Sequence, residues 1–473
     1  MSCSRRAILG IAVVLCFAPA AIAAERKPNV IVIVADDMGY ADIGVHGCKD
    51  IPTPHIDSLA KNGLLCSNGY VSHPYCSPTR AGLLTGRYQQ RFGHEFNPGP
   101  ATDRTPGIGL PTSETTFADR MKAAGYKTGI VGKWHLGHTD DKFHPLNRGF
   151  DEFFGFLGGS HSYLKSGTGH TAIFRGREEI QEPEYLTDAF AREGVKFIEK
   201  HAQEPFFLYW AFNAVHGPME ATDKYLARFP DIKDEKRRTY AAMQSALDDA
   251  IGLGLAKLKQ AGIENDTLIF FVSDNGGPEG VNASDNGRFN GVKGTTWEGG
   301  IRVPFLVQWK AQLPAGKTYA QPVIALDILP TALAAAGSEV RSDWKLDGVN
   351  LLPYFRGEKN DPPHSALYWR FGGSLAIRMG DWKLVKTTGG KGRAGGAGAA
   401  NRGEKATVEG AVLYNLKDDI GEQSDVTAKH PDKAKELAAA WQKWDAELVD
   451  PKWGAPTRAK GEKAKGKKAK KRR

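Results

Sequence analysis

The apolar positions of this chain fall into two patterns, short unbroken runs and stripes with a helical period, and the two alternate. Residues 29–34 form a continuous, mostly β-branched run, the pattern of a strand buried on both faces. Residues 113–124 place Phe117, Met121 and Ala124 on one face and meet Gly125 as a stop, which predicts an amphipathic helix. A strand over 128–131 follows, then a helix over 186–201 and a strongly apolar strand over 206–212. The longest stripe, Tyr240, Met243, Leu247, Ile251, Leu255 and Leu258, predicts a helix from about Asp234 to Ala261, ended by Gly262. Strands over 268–272 and 305–307 and a helix over 325–336 continue the series. Such alternation argues for an α/β fold with a large, mostly parallel sheet flanked by helices.

After Asp347-Gly348 the texture changes. Residues 366–371, 375–378 and 382–385 are short and closely spaced, as in an antiparallel meander; 412–416 would add a strand and 431–448 a closing helix. The expected organisation is a larger α/β domain over 25–346 and a smaller α+β domain over 347–456. Residues 387–410, rich in Gly, Ala and Lys, read as a flexible loop within the smaller domain. No internal repeat is present.

Composition refines this picture at both ends. Residues 1–24 carry Arg5-Arg6, an apolar run from Ala7 to Ala18 and small residues at 21–23, the pattern of a secretory signal peptide. Ser4–Leu9 suits a twin-arginine signal as well as an ordinary basic start. The mature chain is therefore expected to be exported, periplasmic or secreted, with no stable membrane insertion. The formal charge of +9 resides in 457–473, read as a disordered basic tail; the remainder holds 53 basic and 53 acidic groups. A neutral body without a nucleic-acid-binding motif excludes nucleic acid as the expected partner, whereas the tail suits either an anionic polysaccharide or simple solvation. Of five cysteines, Cys48, Cys66 and Cys76 lie beyond the signal; Cys48 and Cys66 could pair in an oxidising compartment or stay as free thiols.

The polar residues give the chemistry. In α/β sheets, ligands bind outside the carboxyl ends of the strands. Asp36-Asp37, Lys133-Trp134-His135, His216 and Asp274-Asn275 each follow a predicted strand, so they are expected to converge on one site. Asp36, Asp37, Asp274 and Asn275 offer only oxygen donors, suited to Ca²⁺ or Mg²⁺ and not to zinc. Taken singly, an Asp pair or an Asp-Asn-Gly-Gly run is ordinarily a cap or a turn; it is their joint placement that favours a metal. Lys133, Lys293 and Arg80 supply positive charge for a tetrahedral anion, and His135 and His216 can move protons. Cys76, in Cys76-Ser77-Pro78-Thr79-Arg80, opens a Pro-containing helix start, where a lone Cys is ordinarily a small buried residue.

Together these residues resemble the type I, formylglycine-dependent sulfatases of the alkaline phosphatase superfamily. The resemblance rests on Cys76 to Arg87, on Gly125 to His135 as the second signature, and on Pro28 to Asp37, Asp274-Asn275-Gly276, Lys293-Gly294 and His216 within Ala214–Pro218. It covers nearly the whole mature chain; Tyr75, where smaller or aliphatic residues are usual, is a mild departure. What it implies is a sulfuric ester hydrolase in which a formylglycine-generating enzyme oxidises Cys76 to an aldehyde. One Ca²⁺ would be held by Asp36, Asp37, Asp274, Asn275 and the matured residue 76. The resemblance further implies that Arg80 helps to hold and activate the aldehyde hydrate, that one hydroxyl of it attacks sulfur while His216 protonates the leaving alcohol, and that Lys133 and Lys293 neutralise the sulfate. His135 would then take the proton of the second hydroxyl, so that sulfate is expelled.

Export, size and the basic tail favour sulfated glycans over small aryl sulfates as substrate. Residues 154–163, with His161, and His170, Trp369-Arg370 and Arg378 are candidates for the substrate rim. Two rivals stand: a phosphomonoesterase or phosphonate hydrolase of the same superfamily, against which the intact Cys76, Pro78 and Arg80 argue, and a non-catalytic sulfated-glycan binder, against which the full catalytic set argues.

Overall fold

The computed structural model describes residues 26–99, 105–388 and 405–454, the side chain of His170 apart. The expected signal peptide, the basic tail and most of the 387–410 loop lie outside these residues. Strand β1 (Asn29–Ala35) is buried throughout, as its unbroken apolar run requires. It lies between two parallel neighbours, β3 (Phe206–Ala211) and β4 (Thr267–Ser273), and β2 (Lys127–Lys133) is parallel to β3 on its far side. These four are the centre of a ten-stranded mixed sheet whose outer strands add antiparallel pairings on both sides. No described helix is long and apolar enough to cross a membrane.

Side-chain alternation divides the core. Ile31 and Ile33 face one apolar layer, which includes the helix over Leu186–Lys200 and the long helix α2 (Glu235–Gln260). Val30, Val32 and Val34 face the other, which includes helix α1 (Cys76–Thr85) and the helix over Ile328–Ala335. Four antiparallel strands, Leu367–Phe371, Ser374–Met379, Trp382–Lys386 and Val412–Asn415, form a second sheet. The helix Pro431–Asp445 closes it, burying Leu437, Trp441 and Trp444.

Register is what brings the polar residues level. Ala35 pairs with Ser273, so Asp36 and Asp274 leave adjacent strands side by side. Val34 and Gly132 both pair with Ala211, so Lys133 stands beside the end of β1 across one strand. Residues 154–156, the start of the expected 154–163 rim, instead belong to the strand Glu152–Phe156, paired in parallel with β2. Its Phe154 and Phe156 are buried in the core.

Candidate active site

Helix α1 begins at Cys76 after an extended Tyr75, and Pro78 sits in its first turn, where a missing N–H costs nothing. Gly86, at φ 67°, closes the helix by donating its N–H to Gly82 O. The positive end of the helix therefore points at the Cys76 side chain. Cys76 is 1% exposed, with Sγ 3.6 Å from Asp36 Oδ1 and 3.2 Å from Lys293 Nζ. Burial pushes its thiol up to about 12, with Lys133 and Lys293 opposing, so an unmodified Cys76 would be protonated and a poor nucleophile.

Three carboxylates and three cations surround this atom. Arg80 donates from Nε and Nη2 to Asp274 Oδ2 at 3.0 and 2.8 Å, approaches Asp36 at 3.4 Å, and donates from Nη1 to Lys133 O. Lys133 Nζ binds Asp36 Oδ2, and Lys293 Nζ binds Asp37 Oδ1 at 2.5 Å. Burial alone would raise both aspartates. Lys133, His216 and Arg80 hold Asp36 below the usual carboxylate range, and Lys293 and His216 do the same for Asp37.

The carboxylate oxygens of Asp36 and Asp37 and the amide oxygen of Asn275 suit a hard divalent cation, whereas a cysteine sulfur and an imidazole nitrogen do not. One ligand atom each from Asp36, Asp37, Cys76 and His216 lie within 4.8 Å of one another. Asn275 donates its amide to Asp37 Oδ1 at 2.8 Å, while its own Oδ1 is buried and has no hydrogen-bond partner. An unsatisfied buried carbonyl oxygen is costly, and a cation would satisfy it. Asp37 holds its place with φ 64°, and Asn282 Nδ2 ties its carbonyl to that of Val215, beside His216.

The two histidines are placed differently. His216 is partly exposed; its Nδ1 lies 2.6 Å from Gly217 O and its Nε2 3.6 Å from Asp37 Oδ2. His135 is buried, has φ 59°, and its Nδ1 has no hydrogen-bond partner. Burial, then the charges of Lys133 and Arg80, hold it well below the ordinary histidine range, so it stays neutral. Its carbonyl accepts from Ser77 Oγ at 2.6 Å.

All ten residues singled out in the sequence thus belong to one linked cluster. Three supporting residues carry no such signal in the sequence: Ser77, His94 and Asn282. Tyr163, in the segment expected at the rim, is instead buried, and its hydroxyl bonds Asn213 O and His216 O at 2.6 and 2.8 Å. Tyr75, the mild departure from the family pattern, has its ring 5.6 Å from Lys293 Nζ and 5.2 Å from the Phe371 ring.

The rim residues are corrected by their partners. His161 is buried, and its ring nitrogens lie 2.6 and 2.8 Å from the carbonyls of Ser162 and Thr171. Trp369 is fully buried and donates to Val71 O. Arg370 pairs with Glu95 and Asp445, and Arg378 bonds Asn68 and Tyr70. These four hold the smaller sheet to the larger body or brace a loop. The His170 side chain lies outside those described. Cys48 and Cys66 are free thiols, so the disulfide alternative is not realised.

Comparison with known proteins places these features in context. The family model described as Sulfatase matches residues 28–338. N-acetylgalactosamine-6-sulfatase of Mus musculus is 36% identical over 387 residues, covering 77% of this chain and 72% of the relative. The crystal structure of Ps i-CgsB in complex with k-i-k-neocarrahexaose superposes with a TM-score of 0.82 at 38% identity, over 91% of this chain and 96% of that one. PsFucS1 sulfatase from Pseudoalteromonas sp. follows at TM-score 0.74 and 26% identity, over 89% and 90% of the respective chains.

Proposed function

The chain belongs to the sulfatase family and is a sulfuric ester hydrolase, and from that premise we propose that it desulfates sulfated carbohydrates after export, with Cys76 matured to formylglycine and one Ca²⁺ at the carboxylate cluster. The observation that carries this reading is the position of Cys76 Sγ, buried at a helix start between Asp36 and Lys293. A carbohydrate substrate is supported by the relatives, one named for N-acetylgalactosamine 6-sulfate and one solved with an oligosaccharide. The apolar and basic pattern of 1–24 supports export.

Residue 76 marks where the nucleophilic oxygen sits, and a formylglycine there would supply a hydrated aldehyde with an internal route for releasing sulfate. Asp36, Asp37, Asp274 and Asn275 would hold the ion, which would supply Lewis acidity toward the sulfate oxygens. Lys293 Nζ, 3.2 Å from Cys76 Sγ, offers positive charge to those oxygens, and Lys133 adds a second ammonium group. His216 donates Nδ1–H to Gly217 O, which leaves Nε2 as the atom that carries a proton to the leaving alcohol. His135, kept neutral by burial, takes a proton at its ring when sulfate departs. Arg80 fixes Asp274 and Asp36 rather than reaching outward.

The decisive experiment combines the mass of the Cys76 peptide with a screen of sulfated saccharides. The expected result is a mass lower than cysteine by the conversion to aldehyde, with release of sulfate and not phosphate. Full activity with an unmodified thiol would overturn the mechanism, and preferential release of phosphate would favour a phosphomonoesterase.

A further inference from the structure

Ser77 lies between the residue proposed as nucleophile and the residue proposed as base. Its side chain is fully buried, as is that of His94. Ser77 Oγ donates to His135 O at 2.6 Å and lies 2.7 Å from His94 Nε2. A hydroxyl has one proton, and here it goes to a carbonyl that can only accept. His94 Nε2 must therefore be the donor in the other bond. Burial and Lys452, opposed by the Gly109 backbone, lower His94 to about 3 and leave a neutral ring with one N–H; His94 Nδ1 makes no hydrogen bond, so that N–H is at Nε2. The ring is braced by the edge of Trp453 at 4.6 Å, and Trp453 donates to Phe96 O and Asn97 O. Asn97 Oδ1 in turn accepts from Ser77 N at 3.0 Å. The clamped residue needs the help. His135 holds φ 59°, uncommon outside glycine, and its ring leaves no room for a side chain at Gly159, where a Cβ would lie 2.5 Å from Nε2.

We propose that Ser77 and His94 are positioning residues that lock the backbone of His135 to the first turn of α1, so that base and nucleophile move as one unit. This inference rests on the base role given to His135 above.

The test compares Ser77→Ala and His94→Leu, which break the link, with Ser77→Thr and His94→Gln, which keep a hydroxyl and an N–H donor. Conversion of Cys76 is measured by peptide mass in each, and rates are expressed per converted enzyme. The breaking variants should lower kcat on the order of 10–100-fold with KM nearly unchanged, because misplacement of a catalytic group by about 1 Å carries such a penalty. The conservative pair should recover most of that loss. A change in KM alone, unchanged kcat, or no difference between Ser77→Thr and Ser77→Ala would overturn the proposal. A crystal structure of Ser77→Ala tests the geometry independently. His135 should leave its left-handed conformation or move its ring, and an unmoved His135 would overturn the proposal whatever the kinetics. If the wild-type enzyme releases no sulfate, the proposed mechanism falls, while the His135 geometry still decides this inference.

Discussion

Two of the buried charge networks among the described residues solve the same electrostatic problem in opposite ways. One is the cluster around Cys76. The other is at the seam between the sheets, where Lys383 bridges Glu298 and Glu422 at 2.9 and 2.8 Å, and Arg302 and the Tyr70 hydroxyl also bind Glu298. In the seam each carboxylate has Lys383 within ion-pair distance, and Glu422 also accepts from Glu298 N. In the Cys76 cluster, Asn275 Oδ1 and His135 Nδ1 have no partner, and His216 and Lys293 keep an edge toward solvent. Buried charge alone therefore does not identify a catalytic site; unspent donors and acceptors with an outlet do.

The largest effect should come from the cluster's centre. Cys76→Ser keeps size and burial but removes the precursor of the aldehyde. Turnover should fall on the order of a thousandfold or more, measured as sulfate release, while the melting temperature stays close to wild type. If Cys76→Ser retained substantial turnover, both the maturation and the contrast drawn above would be wrong.

The seam should respond in the opposite sense. Lys383→Met leaves Glu298 and Glu422 facing each other without their shared cation, at a cost of about 3–5 kcal/mol in denaturant unfolding. The kcat of the fraction that remains folded should change little. A large kcat loss at full stability would mean that the seam acts on catalysis and not on the fold alone.

Metal addition separates the two networks again. A cation bound only by the folded protein stabilises it by about 2.7 kcal/mol at a hundred times its Kd. Calcium should raise the melting temperature of the wild type, and Asp37→Asn should blunt that rise. Lys383→Met should shift the baseline and keep the rise. Equal responses in all three would place the ion elsewhere.

The sequence disclosed the cluster and hid the seam for a physical reason. Strands that are buried on both faces read as unbroken apolar runs, so their ends, and with them Asp36, Lys133, His216 and Asp274, can be located from the pattern of residues alone. Ser77, Asn282 and Tyr163 act by bonding backbone carbonyls, an arrangement that leaves no spacing in the chain. Arg370 and Arg378 read as rim because a charged side chain in a strand does not announce its distant partner. Residues 152–156 do not read as a strand because Gly155 interrupts the run, yet a Cβ there would lie 1.9 Å from Gly132 O, so the close strand pairing requires glycine.

The smallest expected effect is the seam's dependence on pH. Burial, opposed by Lys383 and reinforced by Glu298, pushes Glu422 from 4.5 up to about 7. Glu298 is held down to about 2, because Lys383 and Arg302 outweigh its burial. The signs differ accordingly. As pH rises from 4.5 to about 7, the unfolded chain gives up the Glu422 proton that the folded chain keeps, so stability falls across that window, on the order of 1–3 kcal/mol. The Glu298 contribution is present above 4.5 and is lost as pH falls toward 2. Glu422→Gln keeps an oxygen for Glu298 N and removes the titration, so it should gain relative to wild type between about pH 5 and pH 8 in urea unfolding. The same difference from wild type at both values would show that Glu422 does not titrate there, and that the seam is as fully charge-paired as the catalytic cluster is not.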